Sequence, residues 1–169
     1  MKCQVFILAI KILSKKYQID DVNLHFYGDG IRKELNKKIV GERFSSRIFF
    51  HGAVASNYCK YHGKDLVLLS THTEGIPNII FEAAQFGLPV IVSNVGGVGE
   101  IIQHDKNGLL VDRNSPYALA EAISKVIRDN ELPQRLVTEL KKLIGLEYSE
   151  HQANFLLKVY KDAKKKWDR

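Results

Sequence analysis

Two short runs near the middle of the chain restrict its fold more than any other feature. Asp65-Leu66-Val67-Leu68-Leu69-Ser70 and Leu88-Pro89-Val90-Ile91-Val92-Ser93 are mostly apolar and do not alternate. A strand that alternates buries one face, whereas a strand that is apolar throughout buries both. Strands of that kind belong to parallel sheets, which need a crossover between consecutive strands. The residues between the two runs supply one. Gly75 and Pro77 break the first strand, and Pro77 suits the first position of a helix, where a missing N–H costs nothing. A helix is expected over 77–86, with Gly87 as its left-handed cap and Pro89 beyond it. The second strand runs into Asn94-Val95-Gly96-Gly97-Val98-Gly99-Glu100, a glycine loop opening a further helix. This is a parallel βαβ arrangement, and its ligands belong at the carboxyl ends of the strands, where loops 70–77 and 93–97 lie.

The same alternation extends in both directions. Helix 4–17 places Phe6, Ala9, Ile10, Leu13 and Tyr17 on one face. Strands are expected at 23–28, 47–51 and 108–111, with helices at 31–40, 55–62 and 97–103. Ser115-Pro116 is an N-cap and first-turn proline for helix 116–129, whose Leu119, Ile123, Val126 and Ile127 should face inward. Pro133 opens a helix to about Ile144, and Ser149 with Gln152 forms a capping box for a last helix, 150–166. The fold class is therefore α/β, a Rossmann-like parallel sheet with helices on both faces. At 169 residues the chain has room for one domain of this kind, residues 1–169, and not for two.

Chemistry concentrates between Glu74 and Glu82, two carboxylates with seven residues between them. The amides of Asn78, Ile79 and Ile80 open the helix and face the loop that carries Glu74. Unpaired N–H groups and the helix dipole both favour an anion there. Glu82, about one turn on, can accept hydrogen bonds from a diol. An anion site flanked by two acids suits a nucleotide that bears a sugar. The plainer reading, an ordinary loop acid and a solvent-facing helix acid, would win without the flanking motifs.

Other features weigh less. Gly28-Asp29-Gly30 starts like a dinucleotide fingerprint, but Lys33 stands where a third glycine belongs, which makes it a strand-to-helix turn. Gly96-Gly97 alone fits a tight turn as well as a phosphate-approach loop, and Glu100 fits a surface acid as well as a ligand. His72-Thr73-Glu74 has the His-x-Glu spacing of a zinc deaminase without any Pro-Cys-x-x-Cys partner, so no metal is expected. Cys3 and Cys59 make neither a metal spacing nor a disulfide framework, which points to a reducing, cytoplasmic setting. Val5 to Ile10 imitates a signal sequence, but Lys11 interrupts it and no small-residue cleavage site follows. The net charge of +6 gathers partly at Lys161, Lys164, Lys165, Lys166 and Arg169. That is a solvated helix end with at most a weak peripheral attraction to anionic membrane. No basic patch interleaved with aromatics argues for nucleic acid.

Taken in order, these residues resemble the C-terminal, donor-binding domain of a retaining GT-B glycosyltransferase, of the glycosyl transferases group 1 family. The family's Glu-x7-Glu element is matched by Glu74 and Glu82. Its Pro-Val-Ile and Gly-Gly element is matched by Pro89-Val90-Ile91 and Gly96-Gly97, with Glu100 following. Asn107-Gly108-Leu109-Leu110-Val111 is similar to its Asn-Gly-Leu-Leu-Val segment, Tyr27-Gly28-Asp29-Gly30 to its Gly-x-Gly turn, and Phe50-His51-Gly52 to its Phe-x-Gly turn. The similarity runs from about residue 23 to Tyr160.

The resemblance implies that Glu82 holds the ribose hydroxyls and that Glu74, the catalytic residue, sits near the transferred sugar and hydrogen-bonds it. Gly75, Ile76, Asn78 and Ile79 cradle the distal phosphate and sugar around Pro77, while His51 and Gly52 lie against the base. Gly28, Gly30, Gly96, Gly97 and Glu100 complete the binding set. Lys2 stands one residue out of step with the family's phosphate-binding lysine, and the companion arginine has no counterpart. The implied donor is a UDP-sugar first and GDP-mannose next, with no cofactor and no metal. The acceptor-binding N-terminal domain is not in this sequence, so the isolated chain is expected to be inactive, and helix 150–166 would pack on that absent domain. Two alternatives stay open: a nucleotide-sugar-binding subunit that turns over only with a partner, and a fragment of a GT-B-type nucleotide-sugar epimerase.

Overall fold

The computed structural model describes residues 2–28, 40–54, 56–71 and 76–145. The helices expected over 31–40 and 150–166 fall almost wholly outside these residues, as do Gly30, His72, Glu74 and Gly75. The chain opens with α1 (Lys2–Ile12), whose last turn widens into a π-helical turn over Leu13–Tyr17. Gln18 ends it in the left-handed region, φ 57°, its N–H donating to the Leu13 carbonyl. Then come β1 (Leu24–Tyr27), α2 (Glu42–Ser45), β2 (Ile48–Gly52), α3 (Asn57–Tyr61) and β3 (Val67–Leu69). The C-terminal half adds α4 (Asn78–Gln85), β4 (Val90–Ser93), α5 (Val98–Ile101), β5 (Leu109–Val111), α6 (Pro116–Arg128) and α7 (Leu132–Leu143).

Every ladder is parallel, as the two apolar runs require. Val67 pairs with Val90, Leu68 with Ile91 and Leu69 with Val92, while Ile91 to Ser93 pair onward with Leu109 to Val111. β4 is the central strand and all four of its residues are buried. β1 pairs with β2, Leu24 opposite Ile48, with a register shift after Phe26. The described strands thus form two sheets, β1-β2 and β3-β4-β5, rather than one continuous sheet.

Two apolar clusters cover these sheets. One joins Phe6, Ile7, Ile10 and Leu13 of α1 to Phe26, Ile48 and the inner face of α6, with the Phe6 and Phe26 rings edge to face at 5.9 Å. The other packs Ile80, Ala83 and Ala84 of α4 against Val90, Val92, Val98 and Leu140. On α6, Leu119, Ile123 and Val126 point inward as expected, but Ile127 is 43 % exposed.

The turn chemistry explains several motif residues. Gly87 adopts φ 72°, its N–H donating to Ala84 and that of Leu88 to Ala83, the paired bonds of a Schellman ending for α4. Ser115 Oγ accepts from the Ala118 N–H at 3.2 Å, the expected cap of α6. Asn107 is buried and holds its own loop closed: Nδ2 donates to the Ile101 carbonyl at 2.9 Å and Oδ1 accepts from Gln103 N–H at 2.8 Å. A Cβ on Gly108 would come within 2.9 Å of Ile102 Cγ2 and 3.0 Å of Val90 Cγ2. The Asn-Gly pair is therefore dictated by packing. One expectation shifts: Pro77 is extended, ψ 128°, and occupies the cap position, so that α4 starts at Asn78.

Candidate functional site

Glu82 lies on the half-buried side of α4 and meets Tyr61, the last residue of α3. Tyr61 is buried, its ring tilted against Phe86 with centroids 5.2 Å apart. Its hydroxyl donates to Glu82 Oε2 at 2.5 Å. Burial raises the Tyr61 phenol well above its ordinary value, and the hydrogen bond to Glu82 and that residue's charge push the same way. The phenol therefore remains a donor across the physiological range. One carboxylate oxygen of Glu82 is committed to orientation, and the other meets no donor among the described residues.

Glu82, Tyr61 and Ile79 border a cavity of about 1450 Å³ that also reaches Gly28, Lys60 and Lys64. At the helix start, the amides of Asn78 and Ile79 meet no acceptor among the described residues, whereas Ile80 N–H is bonded to the Pro77 carbonyl at 3.1 Å. Two of the three expected amides are thus without an acceptor among the described residues, because the proline cap turns the third inward. Ile76 is exposed and Pro77 buried beside them.

Gly28 and Gly52 are brought together, Gly28 N–H donating to the Gly52 carbonyl at 2.8 Å, with φ of 119° and 73°. These turns close the carboxyl ends of β1 and β2. His51 is the penultimate residue of β2, within the strand expected over 47–51, and its imidazole is engaged: Nε2 lies 2.9 Å from His25 Nδ1 and the ring stacks on Tyr27 at 4.6 Å. Burial, helped by Lys64 and His51, lowers the pKa of His25. Gly96, at φ 53°, and Gly97 form a turn after β4, and Glu100 is exposed on α5; none of these three borders the cavity. Lys2 begins α1, but its side chain lies outside the described set. Among the described residues no cluster of three metal-ligating side chains occurs, and no helix is long and apolar enough to cross a membrane.

Tyr61, Lys60 and Lys64 are the residues that sequence reasoning passed over. A signal for Tyr61 existed, since it ends a short helix before the His62-Gly63 break, on the side turned toward the next strand.

The fold and site together define a GT-B glycosyltransferase domain. A C-terminal domain of a glycosyl transferase group 1 family protein from Francisella tularensis superposes with a TM-score of 0.73 and 28% identity, over 86% of this chain and 78% of that one. An Anabaena protein solved in complex with UDP-glucose superposes with a TM-score of 0.70 and 26% identity, over 80% of this chain and 39% of that one. An O-antigen biosynthesis glycosyltransferase of Escherichia coli is 36% identical over 124 residues, 73% of this chain and 34% of its own length. Residues 2–143 match the family model of the glycosyl transferases group 1, and the chain belongs to that family. It spans about a third of the length of the curated relatives it matches.

Proposed function

We propose that this chain is the donor-binding half of a retaining glycosyltransferase, taking a nucleoside-diphosphate sugar and supporting transfer of the sugar once an acceptor-binding domain is present. The observation that carries this reading is Glu82 held by Tyr61, with the amides of Asn78 and Ile79 at the start of the same helix meeting no acceptor among the described residues. A carboxylate fixed in this way suits the vicinal hydroxyls of a ribose, and a helix start a turn away suits the phosphates. Glu74, eight positions before Glu82 in the sequence, takes the sugar itself in this reading. Developing charge on the departing diphosphate is then met by the helix-start amides, without rearrangement during the reaction.

A UDP-sugar is the first donor to test, in keeping with the UDP-glucose complex of the Anabaena relative, and GDP-mannose the second. Reaction in the cytoplasm, with at most weak peripheral attachment to a membrane, accompanies this reading. Calorimetric titration with UDP, GDP and ADP tests it, with Glu82→Ala as the control. Selective binding of one nucleotide, weakened by ~1–3 kcal/mol in the variant, is the expected result. Equal affinity of wild type and variant would remove Glu82 from the site.

A further inference from the structure

Four rings occupy the face of β1 and β2 turned away from α1: Phe49, His25, His51 and Tyr27. Leu24, Phe26 and Ile48 are buried against α1, and alternation along each strand sends the intervening side chains to the other side. Strand pairing sets His25 opposite Phe49, and their rings stack at 4.7 Å. Tyr27 stacks on His51 at 4.6 Å. Between these stacks His25 Nδ1 and His51 Nε2 are 2.9 Å apart, with ring planes within 5° of each other. One nitrogen carries a hydrogen and the other a lone pair. Phe49 is 38 % exposed and His51 is exposed, so water reaches the pair.

Two imidazole nitrogens this close can share a metal ion in place of a proton. Around a tetrahedral zinc ion, with Zn–N of ~2.0–2.1 Å, two nitrogens stand ~3.3 Å apart. The pair has to open by only about 0.4 Å and to turn both lone pairs toward one point. The ring stacks favour that movement, because a ring slides along an aromatic neighbour more easily than it tilts away from it. The N–H of the donating ring passes to that ring's other nitrogen by exchange with water, so two neutral imidazoles each present a lone pair and no net proton is released. Burial, then the charge of Lys64 and the His51 ring, lower the pKa of His25, which keeps this ring neutral around neutral pH, as a ligand must be. No third His, Cys, Asp or Glu is grouped with the pair among the described residues, so water completes the shell and the ion exchanges readily.

We propose that His25 and His51 form a two-point binding site for a divalent transition-metal ion of the zinc class, which bridges β1 and β2 and replaces the hydrogen bond between the two rings. Hard cations such as magnesium, which prefer oxygen ligands, are not held there. The ion clamps the two strands beside the Gly52 turn and takes no part in the sugar transfer proposed above.

Zinc titration of the 169-residue chain tests this without any nucleotide, so its failure and that of the donor reading are distinguishable. In NMR spectra the ring Cε1–H signals of His25 and His51 should move together on addition of zinc chloride, ahead of those of His62 and His104, and stay in place with magnesium chloride. The Tm should rise with zinc concentration, since only the folded chain brings the two rings together. His25→Gln and His51→Gln should each weaken zinc binding at least about tenfold, because a single imidazole is left. Cys59→Ser should bind zinc as the wild type does. Unchanged affinity in either glutamine variant would overturn the proposal, and a loss in Cys59→Ser would assign the ion to the thiol instead. So would His25 and His51 signals that stay fixed in about a tenfold excess of zinc over protein, or that respond equally to magnesium.

Discussion

The Tyr61 hydroxyl and Glu82 Oε2 are joined by a 2.5 Å hydrogen bond that links the end of α3 to the middle of α4. The two residues are 21 positions apart, and β3 runs between them. In the proposed site Glu82 is the binding group and Tyr61 the residue that aims it. Tyr61→Phe keeps the buried ring and its packing on Phe86 but removes the donor. In calorimetry the variant should bind the nucleotide more weakly by ~1 kcal/mol, a smaller loss than Glu82→Ala, because the carboxylate is still present but no longer oriented.

The same bond predicts a response to alkali. The native phenol of Tyr61 titrates above the ordinary tyrosine value of about 10, owing first to burial and then to Glu82. The unfolded chain therefore releases this proton while the native chain still holds it. Stability from this group is intact below about pH 10 and is lost as pH rises through the higher native value. Urea midpoints measured from pH 9 to 11.5 should fall less steeply in Tyr61→Phe than in wild type. Parallel curves would show that the phenol is not held by Glu82.

A pH effect of opposite sense is expected in β1 and β2. His25 titrates below its ordinary value, chiefly through burial, and its Nδ1 shares a hydrogen bond with His51 Nε2. A lowered native value means that the unfolded chain binds the proton first as pH falls. Stability is complete above about pH 6.5 and declines as the pH drops toward and through the native value. His25→Phe should flatten the decline between pH 6.5 and 5 in thermal melts. An unchanged slope would exclude this pair as its source.

Asn107 gives a prediction about stability alone. Its side chain satisfies the Ile101 carbonyl and the Gln103 N–H at once, from a buried position. Asn107→Ala leaves both without their partner and should lower the unfolding free energy by about 2 kcal/mol. Equilibrium denaturation with an unchanged m-value checks it, and nucleotide affinity should be unaffected, since Asn107 lies outside the cavity wall.

What the sequence made legible was local. Two apolar runs, a proline, and a glycine followed by another proline placed β3, α4 and β4 within a residue or two, because strand burial and helix ends are written in neighbouring positions. The Ser115 cap and the inward face of α6 were legible for the same reason. The Tyr61–Glu82 bond was not, since nothing in either neighbourhood specifies a partner 21 residues away. Pro77 was placed one position too far into the helix: its fixed φ suits either place, and only its extended ψ of 128° decides for the cap. His51 was legible as the end of the strand expected over 47–51, but its stacking between His25 and Tyr27 depends on register and was not.

The position of α1 has a kinetic consequence. Its packing on α6, and the bond from Arg128 Nη2 to the Tyr17 carbonyl at 2.8 Å, close a loop of more than a hundred residues, the two positions being 111 apart. By contrast, β3 to β5 and their helices meet through neighbours in the chain. Loop entropy for the distant closure rises only with the logarithm of length, but it must be met before those contacts repay it. Refolding is therefore expected to assemble residues 66–143 first and to dock the amino-terminal helix last, making that helix the earliest part to come away when the chain is stressed.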